Sequence, residues 1–220
     1  MKKKTSKKKY KHWLIKSYNR LYDHFGPRKW WPAKTKFEIV VGAILTQNTS
    51  WKNVEKAICN LKIQRLLNPE RMYKTKNRRL MKAVKPSGFY KIKTERLKSF
   101  LRYFKKYSFS FNRIACVSTS DLRSELLNIK GIGPETADSI LLYVFNRPVF
   151  VIDTYTRRIL IRHGFKEAAK EYSELQKFFH DNMPPKPAVF NEFHALIVEV
   201  GKNFCKSAKA FCADCPLNRC

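Results

Sequence analysis

"LNIKGIGPETADSILLYVFNRPVFVIDTYTRR", residues 127–158, is the stretch that decides how this chain folds. Gly131-Ile132-Gly133 forms a tight turn, and beyond it Ala137, Ile140, Leu141 and Val144 recur at helical spacing. The pattern reads helix, glycine hairpin, helix. The glycines permit positive φ and a close backbone approach. Two readings follow: an ordinary αα-turn with glycine after the helix end, or a hairpin whose amides cradle a phosphate beside a helix N-terminus. The run VFVI is too short and isolated to build a sheet. Asp153 follows it and precedes TYTRRILIRHGF, a further helix stopped by Gly164. That carboxylate suits a helix N-cap, and its position beyond the hairpin also raises a chemical role.

Working outward, no convincing strand appears. HWLIKSYNRLYDHFG gives one helix ended by Gly26, and FEIVVGAILTQNTSWKNVEKAICNLK gives two with a polar interruption at Thr46 to Ser50. PSGFYKIKTERLKSFLRYFKKY begins with a turn and becomes a basic amphipathic helix. STSDLRSELLNI opens on an N-cap cluster, and two more helices follow around EYSELQKFFHDNM and AVFNEFHALIVEVGKNFC. The chain reads all-α, joined by short turns into a compact helical fold.

The 220 residues carry 46 Lys and Arg against 17 Asp and Glu, a net charge of +29. Such an excess points to a polyanionic partner, nucleic acid first; with it, the hairpin reads as a grip on DNA backbone rather than on sequence. No apolar run is long enough to span a membrane. No apolar segment follows the lysine-rich start, so secretion is not indicated. Residues 1–12 read as a basic flexible tail, either solubilising or gripping phosphates. Cys59 and Cys116 read as inert core residues. The other four, Cys205-x6-Cys212-x2-Cys215-x4-Cys220, crowd the last sixteen positions. All-thiolate spacing of this kind suits zinc or a [4Fe-4S] cluster, and spacing alone leaves both open.

The 127–158 stretch resembles the helix-hairpin-helix and aspartate signature of the endonuclease III (HhH-GPD) superfamily of DNA glycosylases, and the similarity extends over most of the chain beyond the tail. That resemblance implies a two-lobed helical fold. One lobe, a six-helix barrel, would span 34–147 and hold the hairpin at about 120–145. The other would combine 13–33 with 148–220 and end in a cluster loop at 205–220. It implies that Gly131, Gly133 and Lys130 meet the DNA backbone, and that Asp153 stabilises positive charge on the sugar as the base leaves. Of Gln47 and Asn48, the resemblance favours Gln47 as the residue filling the hole left by a flipped nucleotide. Glu135 occupies the position where bifunctional members carry a lysine that forms a Schiff base. A carboxylate cannot do so, which implies a monofunctional enzyme without strong lyase activity. Within the helix itself Glu135 is a favourable first-turn acid. The family's cysteine loop holds [4Fe-4S], so iron is favoured over zinc. The last interval here is one residue shorter than the family pattern, which puts Cys220 in question as the fourth ligand.

Trp30-Trp31-Pro32, Trp51 and KPSGFYKIKTERL further resemble the 3-methyladenine DNA glycosylase III branch of methylpurine glycosylases, in which aromatic side chains hold the flipped base. The chain departs from that branch in having Trp51 where phenylalanine stands and in carrying the cysteine loop. The implied activity is hydrolysis of the N-glycosidic bond of alkylated purines, 3-methyladenine first, in double-stranded DNA, by a cytoplasmic, nucleoid-associated prokaryotic monomer. The alternatives are a uracil or thymine mismatch glycosylase, or a non-catalytic protein that binds damaged DNA.

Overall fold

The structure, a computed structural model, describes residues 2–28 and 30–218, with side chains from Tyr10 onward. It is all-α: among the described residues there is no strand, only an isolated bridge between Cys205 and Ala210. No described helix is long and apolar enough to cross a membrane. The chain divides into two compact units, one of residues 1–30 and 146–220, the other of 31–145.

In the first unit, α1 (Lys2–Phe25) packs against α11 (Tyr172–Asn182) and α12 (Pro187–Asn203), and α12 also packs against α10 (Thr154–Arg162). Helical backbone begins inside the lysine-rich run expected as a tail. Lysine is a good helix former, and neither glycine nor proline interrupts residues 2–25. Tyr10 and Trp13 pack on Phe165, with ring centroids 5.4 and 4.6 Å apart, so ordered packing starts before residue 12. At Gly26 the backbone turns left-handed (φ 66°) and α1 stops. Phe150 lies parallel to Phe179 at 3.9 Å, and both are fully buried among Phe190 and Phe193.

The buried run Val149–Ile152 has no sheet to join, yet its backbone polar groups need partners. α11 supplies them. Phe150 N–H donates to His180 Nε2 (3.0 Å), Gln176 Nε2 donates to the Phe150 carbonyl (2.7 Å), and Ile152 N–H donates to the Tyr172 hydroxyl (3.3 Å). Tyr172, Gln176 and His180 recur every four residues, so they form one stripe of α11.

In the second unit, α2 (Lys36–Leu45) and α3 (Trp51–Ile63) flank the polar interruption read from the sequence. Thr35 caps α2 by accepting the Glu38 N–H at 3.1 Å, while buried Glu38 takes the Lys62 ammonium at 2.5 Å. α6 (Tyr90–Lys106), α8 (Thr119–Leu127) and α9 (Pro134–Phe145) follow expectation. Three short helices were not legible: α4 (Pro69–Lys74), α5 (Asn77–Val84) and α7 (Phe111–Ala115). α4 and α7 each bury a single apolar side chain, and α5 buries Leu80, Ala83 and Val84 at helical spacing but within a helix of only eight residues.

Cys59 and Cys116 are exposed, not core residues. Cys59 lies just off the α3 stripe of Val54, Ala57, Ile58 and Leu61, and Cys116 follows the last turn of α7.

Candidate active site

The hairpin lies between α8 and α9 in the second unit. Buried Asp138 on α9 receives Arg123 of α8 through two bonds, 2.7 and 3.1 Å, which ties the two helices together. Gly131 sits at φ 90°, and a Cβ there would collide with the Arg96 side chain, so only glycine fits both the angle and the space. Lys130, Gly133 and Glu135 are exposed around this turn, with Glu135 in the first turn of α9.

The loop between α2 and α3 reaches this hairpin. Gln47 Nε2 donates to the Gly131 carbonyl (3.1 Å) and to Thr136 Oγ1 (2.9 Å), and Arg96 donates to Gln47 Oε1. Both ends of the Gln47 amide are therefore engaged inside the protein. Asn48 beside it is left-handed (φ 55°) and makes no such bond. Of the two residues singled out for the space of a flipped nucleotide, Asn48 is the one whose amide is not committed to the hairpin.

The structure brings Trp31 and Trp51 together edge to face, with centroids 5.4 Å apart at 83°. Trp31 also meets Tyr143 at 5.2 Å. Both indoles lie over Gly42 of α2, where a Cβ would approach Trp31 Nε1 at 3.2 Å and Trp51 Cη2 at 3.5 Å. Trp51 Nε1 donates to the exposed Glu55 carboxylate one turn along α3, at 2.8 Å. Pro32 is exposed, and Trp30 belongs to the other unit, where Lys202 Nζ lies 5.0 Å over its ring. The pair of indoles, a carboxylate in reach and a half-exposed setting suit a flat cation.

Asp153 caps α10 in the first unit: its Oδ1 accepts the Thr156 N–H at 2.7 Å. Its other oxygen lies 3.5 Å from Nε2 of His194 on α12, and only about a tenth of either side chain is exposed (10% and 7%). Burial pushes the Asp153 carboxyl up. The charge and hydrogen bonding of His194, with the Thr156 N–H, outweigh it and hold the group below its ordinary range. Asp153 is therefore anionic at neutral pH. His194 went unnoticed in the sequence because a lone histidine in the apolar helix AVFNEFHALIVEV reads as core.

Phe89 was also missed. It is 64% exposed, left-handed (φ 44°), and stands at the start of α6 after Gly88. Beneath it the buried Lys93 ammonium donates to the Ser87 carbonyl at 2.5 Å, and burial, then Arg96, push that lysine down to about 8. A strained, exposed aromatic on a braced turn is unlike a core residue.

In the C-terminal loop, Cys205 is buried, Cys215 half-buried and Cys212 exposed, and none of the three forms a disulfide. Arg162 donates to Cys205 Sγ (3.2 Å) and to the Lys206 and Ser207 carbonyls (2.7 and 3.0 Å), while Arg158 takes the Cys205 carbonyl (2.8 Å). Among the described residues no three potential metal ligands are gathered, and Cys220 lies outside them. The donor set, soft thiols without disulfides in one short loop, fits a thiolate-held metal group.

An all-α chain with a glycine hairpin between two helices and an aspartate capping the helix that follows has the fold of helix-hairpin-helix glycosylases. Its relatives make this specific: residues 41–185 match the HhH-GPD superfamily of base excision DNA repair proteins, and the chain belongs to that family. It is 44% identical over 206 residues, 93% of each chain, to a Methanocaldococcus jannaschii protein that carries the provisional name DNA repair glycosylase. It is 30% identical to endonuclease III of Thermotoga maritima over 84% of this chain and 82% of that one. Among solved structures it is similar to the 3-methyladenine DNA glycosylase MagIII of H. pylori bound to 1,N6-ethenoadenine. The TM-score is 0.75 and the identity 30%, covering 88% of this chain and 97% of that one.

Proposed function

We propose that this DNA repair glycosylase is monofunctional and hydrolyses the N-glycosidic bond of alkylated purines in double-stranded DNA, 3-methyladenine first. The observation that carries the substrate is the Trp31–Trp51 pair over Gly42 with Glu55 at its edge. An N3-alkylated purine is cationic and its glycosidic bond is already weakened, so the enzyme needs to extract and shelter the base more than to protonate it. Indole faces are worth about 0.5–2 kcal/mol to a cation, and a carboxylate beside them adds to the preference. The likeness to a 3-methyladenine glycosylase supports the same substrate class.

In this reading the GIG hairpin and Lys130 hold the backbone, and Gln47 and Arg96 keep the hairpin in place. Asn48 fills the vacated position, and exposed Phe89 serves as an apolar wedge between base steps. The C1′–N bond breaks with both electrons leaving on the base, which departs neutral. Asp153 faces the positive charge that gathers on the sugar, an interaction made only in the transition state. Water then bonds to C1′ and gives up a proton. Glu135, at the position of the family's lysine, offers no amine for a Schiff base. Cys205, Cys212, Cys215 and Cys220 would hold a [4Fe-4S] cluster, which would brace the basic loop around Lys206 and Lys209. Iron and sulfide analysis of purified protein, against zinc, tests that assignment.

The deciding experiment is a panel of duplexes carrying 3-methyladenine, uracil or a thymine mismatch, scored for free base and for borohydride-trapped complex. Release of 3-methyladenine without trapping is expected. Release of uracil or thymine alone would overturn the substrate, and efficient trapping would overturn the monofunctional mechanism.

A further inference from the structure

The second unit holds an open groove of about 550 Å³ between the end of α3, α4 and α5. Its wall carries Arg65, Arg71, Lys74, Lys76 and Arg79, with Gln64 and Thr75, and no acidic residue. The volume falls inside the range of roughly 300–1,000 Å³ typical of ligand sites. A net charge of +29 makes basic surface common on this chain, so charge alone decides nothing. Two cations of the unit are tied to acids, Lys62 to Glu38 and Arg123 to Asp138. Among the described residues none of the five groove cations is within ion-pair distance of a carboxylate.

The shape of this wall is fixed from behind. Lys98 of α6 donates to the carbonyls of Met72, Tyr73 and Thr75, at 2.9, 2.7 and 2.6 Å. These belong to the C-terminal end of α4, where exposed carbonyls would otherwise present the negative end of a helix to an arriving anion. One ammonium thus satisfies three carbonyls at this end of α4 from behind the groove. Arg79 Nε is oriented by Gln64 Oε1 at 3.4 Å, and Arg65 is held left-handed at φ 54°. That angle closes the C-terminus of α3, where the Arg65 N–H donates to the Lys62 carbonyl at 2.9 Å and the Leu66 N–H to the Leu61 carbonyl at 2.7 Å.

We propose that this groove is a phosphate-binding site. Three guanidinium forks and two ammonium groups without a competing acid match phosphate oxygens in charge and in bidentate geometry. The phosphates come either from a nucleic-acid backbone or from a free polyphosphate. The site makes no demand on which base is excised, so its test uses undamaged DNA and stands apart from the lesion panel.

The test compares the double variant Arg71→Gln/Arg79→Gln with Lys166→Gln/Lys186→Gln, which removes the same two charges from exposed positions of the other unit. Affinity for an undamaged duplex is measured against salt, and tripolyphosphate binding by calorimetry, with helicity checked by circular dichroism. Removing one cation that neutralises a phosphate lowers the log–log salt slope by about 0.9. A slope about 1.8 lower for the groove variant than for its comparator assigns the groove to DNA backbone. Equal slopes, with tripolyphosphate binding abolished only in the groove variant, assign it to a free polyphosphate. Equal slopes and equal tripolyphosphate binding overturn the proposal.

Discussion

Asp153→Asn separates two jobs of one side chain. Oδ1 caps α10 through the Thr156 N–H at 2.7 Å, and asparagine caps a helix about as well as aspartate, so the stability cost stays below about 1 kcal/mol. Charge is the larger loss. A full positive charge about 4 Å from a carboxylate gains about 4 kcal/mol at an effective dielectric constant of about 20. That converts to roughly a thousandfold in rate. Single-turnover release of 3-methyladenine should therefore fall about 10³-fold, with duplex affinity near wild type and an unfolding free energy lower by no more than about 1 kcal/mol. The acid limb of stability should change as well. Because the folded carboxyl is held low, its stabilising contribution is present above the ordinary carboxylate range and lost as pH falls through the lowered value. The asparagine variant lacks that loss. Near wild-type turnover by a well-folded variant would refute the electrostatic role, and parallel loss of folding and turnover would reduce Asp153 to a cap.

Trp51→Ala should weaken retention of a cationic base by about 0.5–2 kcal/mol, read as a higher KM for alkylated duplex with undamaged-duplex affinity unchanged. Gly131→Ala forces a side chain into φ 90° and against Arg96; a loss of about 1–3 kcal/mol in urea unfolding should accompany weaker duplex binding. Lys93, buried with its ammonium pushed down to about 8, costs stability while charged. Unfolding free energy should rise between about pH 8 and the ordinary lysine range near 10.4, and Lys93→Met should reduce that rise in urea titrations repeated across pH, leaving the part owed to Lys98, which burial also pushes down.

Local signals carried much of this. The hairpin and the capping aspartate are legible because glycine turns and N-caps are written within a few residues. The Trp31–Trp51 pair came from resemblance, since no period links the two. What joins distant positions was invisible. Nothing local distinguishes Gln47 from Asn48; only the fold brings its amide to Gly131, 84 residues on. His194 reaches Asp153 from a helix whose pattern shows only core. The groove at Arg65–Arg79 was hidden because α4 and α5 are too short and polar to announce themselves, and scattered cations become a site only when those helices fold beside one another.

The side-chain brace on Val149–Ile152 has a consequence for how the aspartate is placed. In a sheet, neighbouring backbones would fix the segment almost regardless of side-chain identity. Here the splint is three side chains of α11, so the backbone leading into Asp153 rests on Tyr172, Gln176 and His180 together. Because the His180 ring accepts the Phe150 N–H through Nε2, that nitrogen must carry no proton. The placement of the Asp153 segment thus depends on an imidazole tautomer well removed along the chain from that carboxylate.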